Sequence, residues 1–225
     1  MSNAHNGKGV LFGEVTGITP AELVIIGTST AAEYAARAAL NLGILVKVFD
    51  TSVYELTMLE EKIGRPIFTS VFYPKVLKKA LLSADAVIGA MMFNTTPKFK
   101  VSEDLIKQMK EGSVIIDLNA SQGGCFETTQ CTDLRNPTYV KHGVVHYCVP
   151  NSPAIVARTA SISLSNLLIP ILLSIGDIGG TDNYIKNSRG FRKGVYIYHG
   201  ILTNSEIGNL FNLPSKDIDL LLAIF

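Results

Sequence analysis

The sequence predicts an α/β fold with a doubly wound parallel sheet, and three observations lead to this class. Short apolar runs alternate with stretches of helical periodicity over the first half of the chain. These runs lack the polar alternation of half-exposed strands, as expected where helices cover both faces of a sheet. A glycine follows the first run, at the position of the phosphate turn in a dinucleotide-binding sheet.

The elements follow in a regular order. The first strand is the run over 22–26, which ends at Gly27, and a helix over 31–42 follows and stops at Gly43. The alternation then continues with strand 44–49, helix 53–63, strand 67–71, helix 74–83, strand 86–89, helix 102–110 and strand 113–118. A sixth strand over 144–149 follows a long irregular loop, and a helix over about 153–175 comes next. We therefore expect right-handed βαβ units and a Rossmann-like sheet.

The C-terminal part of the chain has a different character. Composition shifts at 176–180, and two short apolar runs then flank His199 and Gly200 as a hairpin, followed by a helix over 205–211. Residues 1–4 are interpreted as a short addition for expression. The predicted organisation is a dinucleotide-binding domain over 5–180 and a small hairpin and helix tail over 181–225.

Charge and composition exclude several partner classes. The chain has 20 Lys and Arg residues against 19 Asp and Glu, with no basic block longer than Lys78 and Lys79, so neither a nucleic acid nor an anionic membrane is an expected partner. The longest apolar run, 162–175, is interrupted by polar residues and is shorter than a bilayer span, so we predict a buried helix. Three cysteines, an odd number, favour a reducing compartment and a cytoplasmic location.

No metal site is predicted. Cys125 and Cys131 lack a second pair or nearby histidines at zinc-binding spacing. His142, His146 and Cys148 lie in or just before the sixth strand, and we interpret them as structural.

The candidate phosphate turn is Gly27-Thr28-Ser29-Thr30. It keeps the first glycine of the G-x-G-x-x-G pattern, and Ala32 is an accepted substitute for the third, but Ser29 stands where close backbone approach is needed. The three hydroxyls beside a helix N-terminus can still donate to a phosphate. The alternative is that they only cap the helix.

Asp50 ends the second strand, where a carboxylate suits the two hydroxyls of an adenosine ribose. The same charge repels a 2′-phosphate, and no arginine stands nearby to receive one, so NAD is predicted over NADP. The alternative is that Asp50 and Ser52 cap the next helix, since Ser52 and Glu55 have the spacing of a capping box.

Two longer stretches carry a family resemblance. They read VIIDLNASQGGCFET over 114–128 and VVHYCVPNSPAIVART over 144–159. They resemble the cofactor domain of the alanine dehydrogenase and pyridine nucleotide transhydrogenase family, and the strings HYCV and QGGCFE are closer to alanine dehydrogenase. The segments 9–20 and 85–98 are similar to the same family, so the likeness extends from about residue 7 to 213.

This resemblance implies the NAD-binding domain of an enzyme that oxidatively deaminates L-alanine to pyruvate. It implies nucleotide contacts at the turn residues Gly27, Thr28, Ser29 and Thr30, at Asp50, and at Met91, Leu118, Val149 and Asn151. A second domain, mostly from residues before the cofactor domain, supplies the substrate-binding groups in that family. We expect that domain to be missing here, the chain alone to be inactive, and the exposed apolar tail residues, such as Ile197, Ile201, Leu210 and 218–225, to cause homo-oligomerisation.

Three departures from the family pattern define the alternatives. Ser29 lies in the glycine loop, the loop after Ala90 lacks a Gly-Ala-Lys step, and Ser121 replaces the family's catalytic aspartate before Gln-Gly-Gly. A serine cannot carry the charge that orients an iminium intermediate. A nucleotide-sensing or interaction module without catalysis is therefore the second hypothesis, and a transhydrogenase hydride-transfer domain is the third.

Overall fold

The computed structural model describes residues 6–92 and 99–223. The chain divides into two compact units, Met1–Ser152 and Pro153–Phe225. This division precedes the long helix, whereas the composition shift used to predict a domain boundary lies at 176–180. The proposed addition at 1–4 and most of the loop after Ala90, residues 93–98, lie outside the described residues.

The first unit is built on one sheet. Its strands, in chain order, are β1 (Glu22–Ile26), β2 (Leu45–Asp50), β3 (Phe68–Val71), β4 (Ala86–Gly89), β5 (Val114–Asp117), β6 (Thr138–Lys141) and β7 (Val144–Tyr147). They lie side by side in the order β3-β2-β1-β4-β5-β7-β6, and each neighbouring pair is parallel except β6 with β7. The predicted doubly wound, mostly parallel sheet is confirmed.

Helices connect these strands and cover the sheet. They are α1 (Thr30–Asn41), α2 (Val53–Ile63), α3 (Pro74–Ser83) and the short α4 (Glu103–Ile106). Successive residues of β1 enter different cores, with Val24 and Ile26 packing in the cluster that contains α3, and Leu23 and Ile25 in the cluster that contains α1 and α2. This period-two alternation explains why the strand is apolar throughout.

The strand order fixes where a ligand can bind. The chain proceeds outward from β1 through β2 to β3, then returns to the other side of β1 to form β4. The carboxyl ends of β1 and β4 therefore diverge into a crevice at which doubly wound sheets bind their ligands. The predicted site residues follow the strands at this edge.

The sequence prediction differs from the structure at two places in the first unit, one helix that is shorter than predicted and one strand that was not predicted. The helix predicted over 102–110 ends at Ile106, because Gln108 and Met109 donate to carbonyls three residues back and the chain tightens into the turn before β5. The segment predicted as irregular loop contains β6. Its residues alternate between exposed and partly buried, as in an edge strand, and therefore give no apolar run.

The second unit contains the tail. Its elements are α5 (Ala157–Asp177), α6 (Thr181–Asn187), α7 (Arg189–Arg192), β8 (Ile197–Tyr198), β9 (Ile201–Leu202), α8 (Ser205–Phe211) and α9 (Ile218–Leu222). The predicted hairpin is confirmed: β8 and β9 pair antiparallel, and His199 and Gly200 have φ angles of 46° and 78°. A small core of Ile185, Tyr198 and Leu221 joins α6, the hairpin and α9, and Phe191 of α7 packs against it.

The prediction that the apolar run 162–175 is buried is wrong in this structure. Counting the 3₁₀ turn before α5, the helix spans Ser152–Asp177, has a mean hydropathy of 1.6 and contains no buried residue in its most apolar window. By length and composition alone it could cross a membrane, contrary to the predicted shortfall. Apolar side chains favour burial away from water, but the composition of a helix does not identify the surface that covers them.

The apolar tail residues are only partly exposed. Ile197 is 65% exposed, whereas Leu221 is 2% exposed and lies in the core of the second unit, with Ile201 and Ile218 packed against it. The side chain of Leu210 and residues 224–225 lie outside the described part. The predicted tail patch is therefore smaller than the sequence indicates, and self-association through it stays a prediction.

Candidate functional site

The turn after β1 allows a close backbone approach that only glycine permits. Gly27 has a φ angle of 108°, and its N–H donates to the Phe49 carbonyl at 2.7 Å. A Cβ built on Gly27 would lie 2.4 Å from the Ala90 oxygen and from the Met91 Cα. The end of β1 thus packs directly against the chain that follows β4, at the crevice.

Ser29 serves as the N-cap of α1. Its Oγ accepts from the Ala32 N–H at 3.4 Å, and its own N–H donates to the Ala90 carbonyl at 3.3 Å. This hydroxyl therefore caps α1, and its contact with a phosphate stays a prediction. Thr28 instead donates to Asp50, and the exposed Thr30 begins the helix. The three hydroxyls therefore have different surroundings at one helix N-terminus.

Asp50 is held at the carboxyl end of β2 and is 7% exposed. One carboxylate oxygen accepts from the Thr28 hydroxyl at 2.8 Å, and the other accepts from the Ser52 N–H at 3.0 Å. Ser52 caps α2 by accepting from the Glu55 N–H, so the predicted capping role belongs to Ser52. Within the described residues Asp50 has no cationic partner within 4 Å. It presents a negative charge with no cationic partner beside the candidate phosphate turn.

Met91 and Leu118 follow the next two strands at the same edge. Met91 is 8% exposed, and the Leu118 N–H donates to the Gly89 carbonyl at 2.9 Å. Val149 and Asn151 come after β7, which runs parallel to β5, and Val149 is buried whereas Asn151 is exposed. The structure joins the turn, Asp50 and Met91 through direct contacts, and the residues after β7 stand farther along the same edge.

Sequence analysis missed Asn119, which organises this edge. Its side-chain oxygen accepts from the Met91 N–H at 2.9 Å, and its side-chain nitrogen donates to the Met91 carbonyl at 3.0 Å. Asn119 thereby ties the end of β4 to the end of β5. The available signal was a polar side chain two residues after a buried strand, at the edge where ligands bind.

We expect Asn119→Leu to destabilise the fold by about 2–4 kcal/mol, because the buried N–H and carbonyl of Met91 would lose their partners. Urea unfolding measures the change. Gln122→Ala is the matched control, because the exposed Gln122 accepts from the same Asn119 amide at 3.2 Å. Its loss leaves no buried group without a hydrogen-bond partner. Equal stability of the two variants would contradict a structural role for the Met91 contacts.

A buried carboxylate supports the loop after β5. Asp117 accepts hydrogen bonds from the N–H groups of Asn119 and Cys125 at 3.0 and 2.8 Å and from the Thr129 hydroxyl at 2.5 Å. Burial raises the pKa of Asp117 despite these bonds. Burial and then the Asp117 charge raise the pKa of the Cys125 thiol to about 12, so this thiol is not a nucleophile at neutral pH.

His146 and its neighbours form a structural group beside that loop. The His146 Nδ1 donates to the Val144 carbonyl at 3.0 Å, which leaves Nε2 to accept from the Thr128 hydroxyl at 2.8 Å. Burial lowers the pKa of His146, and the Tyr139 ring stacks on it. Cys148 is buried, and His142 contacts Glu103 at 2.6 Å. Across 6–92 and 99–223, no group of three or more acidic, histidine or cysteine side chains could hold a metal.

Ser121 lies on the exposed surface of the loop after β5. It belongs to the 3₁₀ turn Ala120–Gln122, two residues beyond Asn119. The nearest carboxylate in sequence, Asp117, is buried and fully engaged by its donors. Asp117 therefore does not replace the charge that Ser121 lacks.

Comparison with known proteins places this geometry in a family. The model of the alanine dehydrogenase/PNT C-terminal domain matches residues 1–205. Alanine dehydrogenase 2 of Staphylococcus aureus (strain USA300) is 36% identical over 97% of this chain and 59% of its own length. The chain thus spans about three fifths of the length of the curated relatives that it matches.

Solved structures agree with this assignment. An L-alanine dehydrogenase is 33% identical with a TM-score of 0.83, over 93% of this chain and 58% of that one. A transhydrogenase from Sinorhizobium meliloti is 20% identical with a TM-score of 0.62, over 75% of this chain and 49% of that one, and shares the fold. The resemblance read from the sequence is confirmed: the chain belongs to the alanine dehydrogenase/PNT C-terminal domain family.

Proposed function

We propose that this chain is the NAD-binding part of an oxidoreductase similar to alanine dehydrogenase, whose intact form oxidises L-alanine to pyruvate. The observation that carries the proposal is the junction of Gly27, Thr28 and Asp50 at the switch point of the sheet. The 36% identity to an alanine dehydrogenase supports the reaction class. A substrate-binding domain, as in the longer relatives, would be required for turnover.

The residues present fit a pyridine nucleotide. The Gly27 turn packs on the backbone that follows β4. The N-terminus of α1, which begins at Thr30, comes directly after this turn and would offer main-chain N–H groups to a phosphate. Asp50, which accepts from the Thr28 hydroxyl at the edge of the turn, would also accept from ribose hydroxyls, and its charge would disfavour the 2′-phosphate of NADP. When bound, the nicotinamide ring would accept the hydride.

The ends of β4 and β5 would position the nicotinamide half. Met91 is buried against the turn. The Asn119 side chain holds its backbone, because it accepts from the Met91 N–H and donates to the Met91 carbonyl. Leu118, which is partly buried, contributes an apolar wall, and Val149 and Asn151 would complete the edge beyond β7. These residues would exclude water and orient the ring, while proton transfer to and from the substrate would belong to a substrate-binding domain.

Direct titration tests the binding proposal. We expect calorimetry to show weak binding of NADH and ADP-ribose to this chain, with NADPH binding worse because its extra phosphate meets the Asp50 charge. Failure of NADH and ADP-ribose to bind at millimolar concentration would overturn the proposal. A chain joined to a substrate-binding domain would then be assayed for L-alanine-dependent reduction of NAD.

Ser29→Gly should tighten NADH binding by roughly 30-fold, because the serine Cβ stands where the pyrophosphate approaches the backbone. Loss of the cap should cost only a few tenths of a kcal/mol with glycine at this position. Ser29→Ala is the matched control, since it removes the capping Oγ and keeps the Cβ. If Ser29→Gly binds NADH no better than the natural chain, the Cβ is not the obstacle.

Ser121 favours a second candidate, a nucleotide-binding module without catalysis. Its exposed hydroxyl stands where the family pattern has an aspartate, and the buried Asp117 is occupied by three donors. This candidate shares the nucleotide site and differs in turnover. Restoring the carboxylate with Ser121→Asp in the chain joined to a substrate-binding domain distinguishes the two, because only the degenerate module would gain activity from no detectable level.

A further inference from the structure

The contact between Thr28 and Asp50 follows from the pairing of β1 with β2. These strands are parallel, and Ile26 lies opposite Phe49, so the residues that end or follow the two strands meet at the carboxyl edge of the sheet. The Thr28 hydroxyl lies 2.8 Å from Asp50 Oδ2. Because an ionised carboxylate only accepts hydrogen bonds, the hydroxyl is the donor of this pair.

This bond uses the single proton of the Thr28 hydroxyl. A hydroxyl has one proton to donate and two lone pairs that can accept. While Thr28 donates to Asp50 it cannot also donate to a phosphate, which is the contact that the sequence pattern predicts for the turn hydroxyls. Thr28 is only partly buried, and no described residue donates to its oxygen, so the lone pairs of this oxygen are free.

The protein itself fills most of the accepting capacity of Asp50. A carboxylate has about four lone-pair sites, two on each oxygen. Oδ1 accepts from the Ser52 N–H at 3.0 Å and from the Thr51 hydroxyl at 3.3 Å, and Oδ2 accepts from Thr28. Among the described residues these are its donors, and they leave one site for a ligand, on Oδ2.

A ribose presents two neighbouring hydroxyls to such a site. A carboxylate that receives one hydroxyl on each oxygen needs an open lone pair on both, and Asp50 Oδ1 has none. The free lone pairs of Thr28 lie beside the open site on Oδ2, since the two oxygens are 2.8 Å apart. Thr28 and Asp50 together therefore offer two adjacent acceptors.

We propose that Thr28 and Asp50 share the recognition of the adenosine ribose. The Thr28 oxygen accepts from one ribose hydroxyl while its own proton stays on Asp50, and the open site on Oδ2 accepts from the other hydroxyl. Hydrogen bonds arranged in such a chain polarise and strengthen one another. The inference rests on the proposed function, because it assumes that the ribose binds at the carboxyl edge of β2.

Ligands that lack one hydroxyl test this arrangement on the natural chain. We expect ADP-ribose to bind, and its analogues without the 2′- or the 3′-hydroxyl of the adenosine ribose each to bind roughly 5- to 20-fold more weakly in calorimetric titrations. If ADP-ribose does not bind at millimolar concentration, the proposed function fails and this inference fails with it. If ADP-ribose binds and either analogue binds as tightly, the proposed function stands and the shared recognition is overturned.

Thr28→Val removes the hydroxyl and keeps the shape of the side chain. We expect this variant to bind ADP-ribose roughly tenfold more weakly. One of the two analogues should bind it as tightly as it binds the natural chain, because the hydroxyl that would meet Thr28 is already missing from that analogue. Thr28→Ser, which keeps a hydroxyl, should bind all three ligands within about threefold of the natural chain. If Thr28→Val binds ADP-ribose with undiminished affinity, Asp50 receives both hydroxyls directly and the proposal is wrong.

Thr51→Val is the matched control, because it removes a second threonine hydroxyl that donates to Asp50, from an exposed residue and on Oδ1. Since Oδ1 faces the residues that lead into α2, this variant should leave the ratios of the three affinities unchanged. The same analogue-specific loss in Thr51→Val would overturn the proposal. So would a uniform loss of all three affinities in Thr28→Val, because that result indicates a loosened carboxylate and no contact with a ribose hydroxyl.

Discussion

Gly27→Ala is expected to destabilise the first unit by about 3 kcal/mol or more and to abolish nucleotide binding. The added Cβ would meet the Ala90 oxygen and the Met91 Cα at 2.4 Å, which are both backbone atoms and cannot rotate away. The β1 and β4 ends would have to separate, and the strand register between them resists this. Urea unfolding and calorimetry with NADH measure the two effects.

Gly64→Ala separates this clash from conformational strain. Gly64 caps α2 with a φ angle of 76°, but a Cβ there meets nothing within 4 Å. Its replacement should therefore cost only about 1 kcal/mol, from the left-handed backbone alone. If Gly27→Ala lowers the free energy of unfolding no more than Gly64→Ala does, the close approach at the turn does not make the added Cβ costly.

Asp50→Ala should weaken NADH binding by roughly 30-fold and remove the preference for NADH over NADPH. The variant loses the acceptor for the ribose hydroxyls, worth about 2 kcal/mol for a charged hydrogen-bonding group. It also removes the charge that repels a 2′-phosphate, so NADPH should lose less affinity than NADH. Calorimetric titration of both nucleotides measures the change.

Asp50→Asn is the control for the charge. An asparagine retains an acceptor for the Thr28 hydroxyl, which donates to Asp50 at 2.8 Å in the natural chain, but is neutral. We expect it to reduce discrimination against NADPH while preserving more NADH affinity than Asp50→Ala. Unchanged discrimination in both variants would show that Asp50 does not face the ribose.

The sheet could be predicted because its strands are apolar on both faces. The runs that form β1 and β4 are uninterrupted, and their turn glycine marks where the chain leaves the sheet. The edge strand β6 has no such pattern, since one side of Thr138–Lys141 faces solvent and its pairing partner lies across a turn. A run of apolar residues indicates a buried strand, and an edge strand such as β6 has few buried residues.

The candidate site was predicted in part, for a related reason. Gly27 and Asp50 occupy the positions at which dinucleotide-binding sheets contact phosphate and ribose, so their spacing was informative. The clasp between Asn119 and Met91 joins residues 28 positions apart, and nothing local indicates which polar side chain completes it. The burial of α5 was predicted incorrectly because hydropathy measures the cost of exposure and does not identify the covering surface.

The two-residue connection between β6 and β7 has a consequence for the order of assembly. His142 and Gly143 have φ angles of 55° and 72°, which suit a tight hairpin, so β6 and β7 can pair at a small loss of chain entropy. Pairing of β7 with β5 instead closes the whole intervening segment, which carries the buried Asp117 contacts. The far edge of the sheet therefore adds most economically as a preformed hairpin, and the loop that contains Asn119 and Ser121 closes when that hairpin docks.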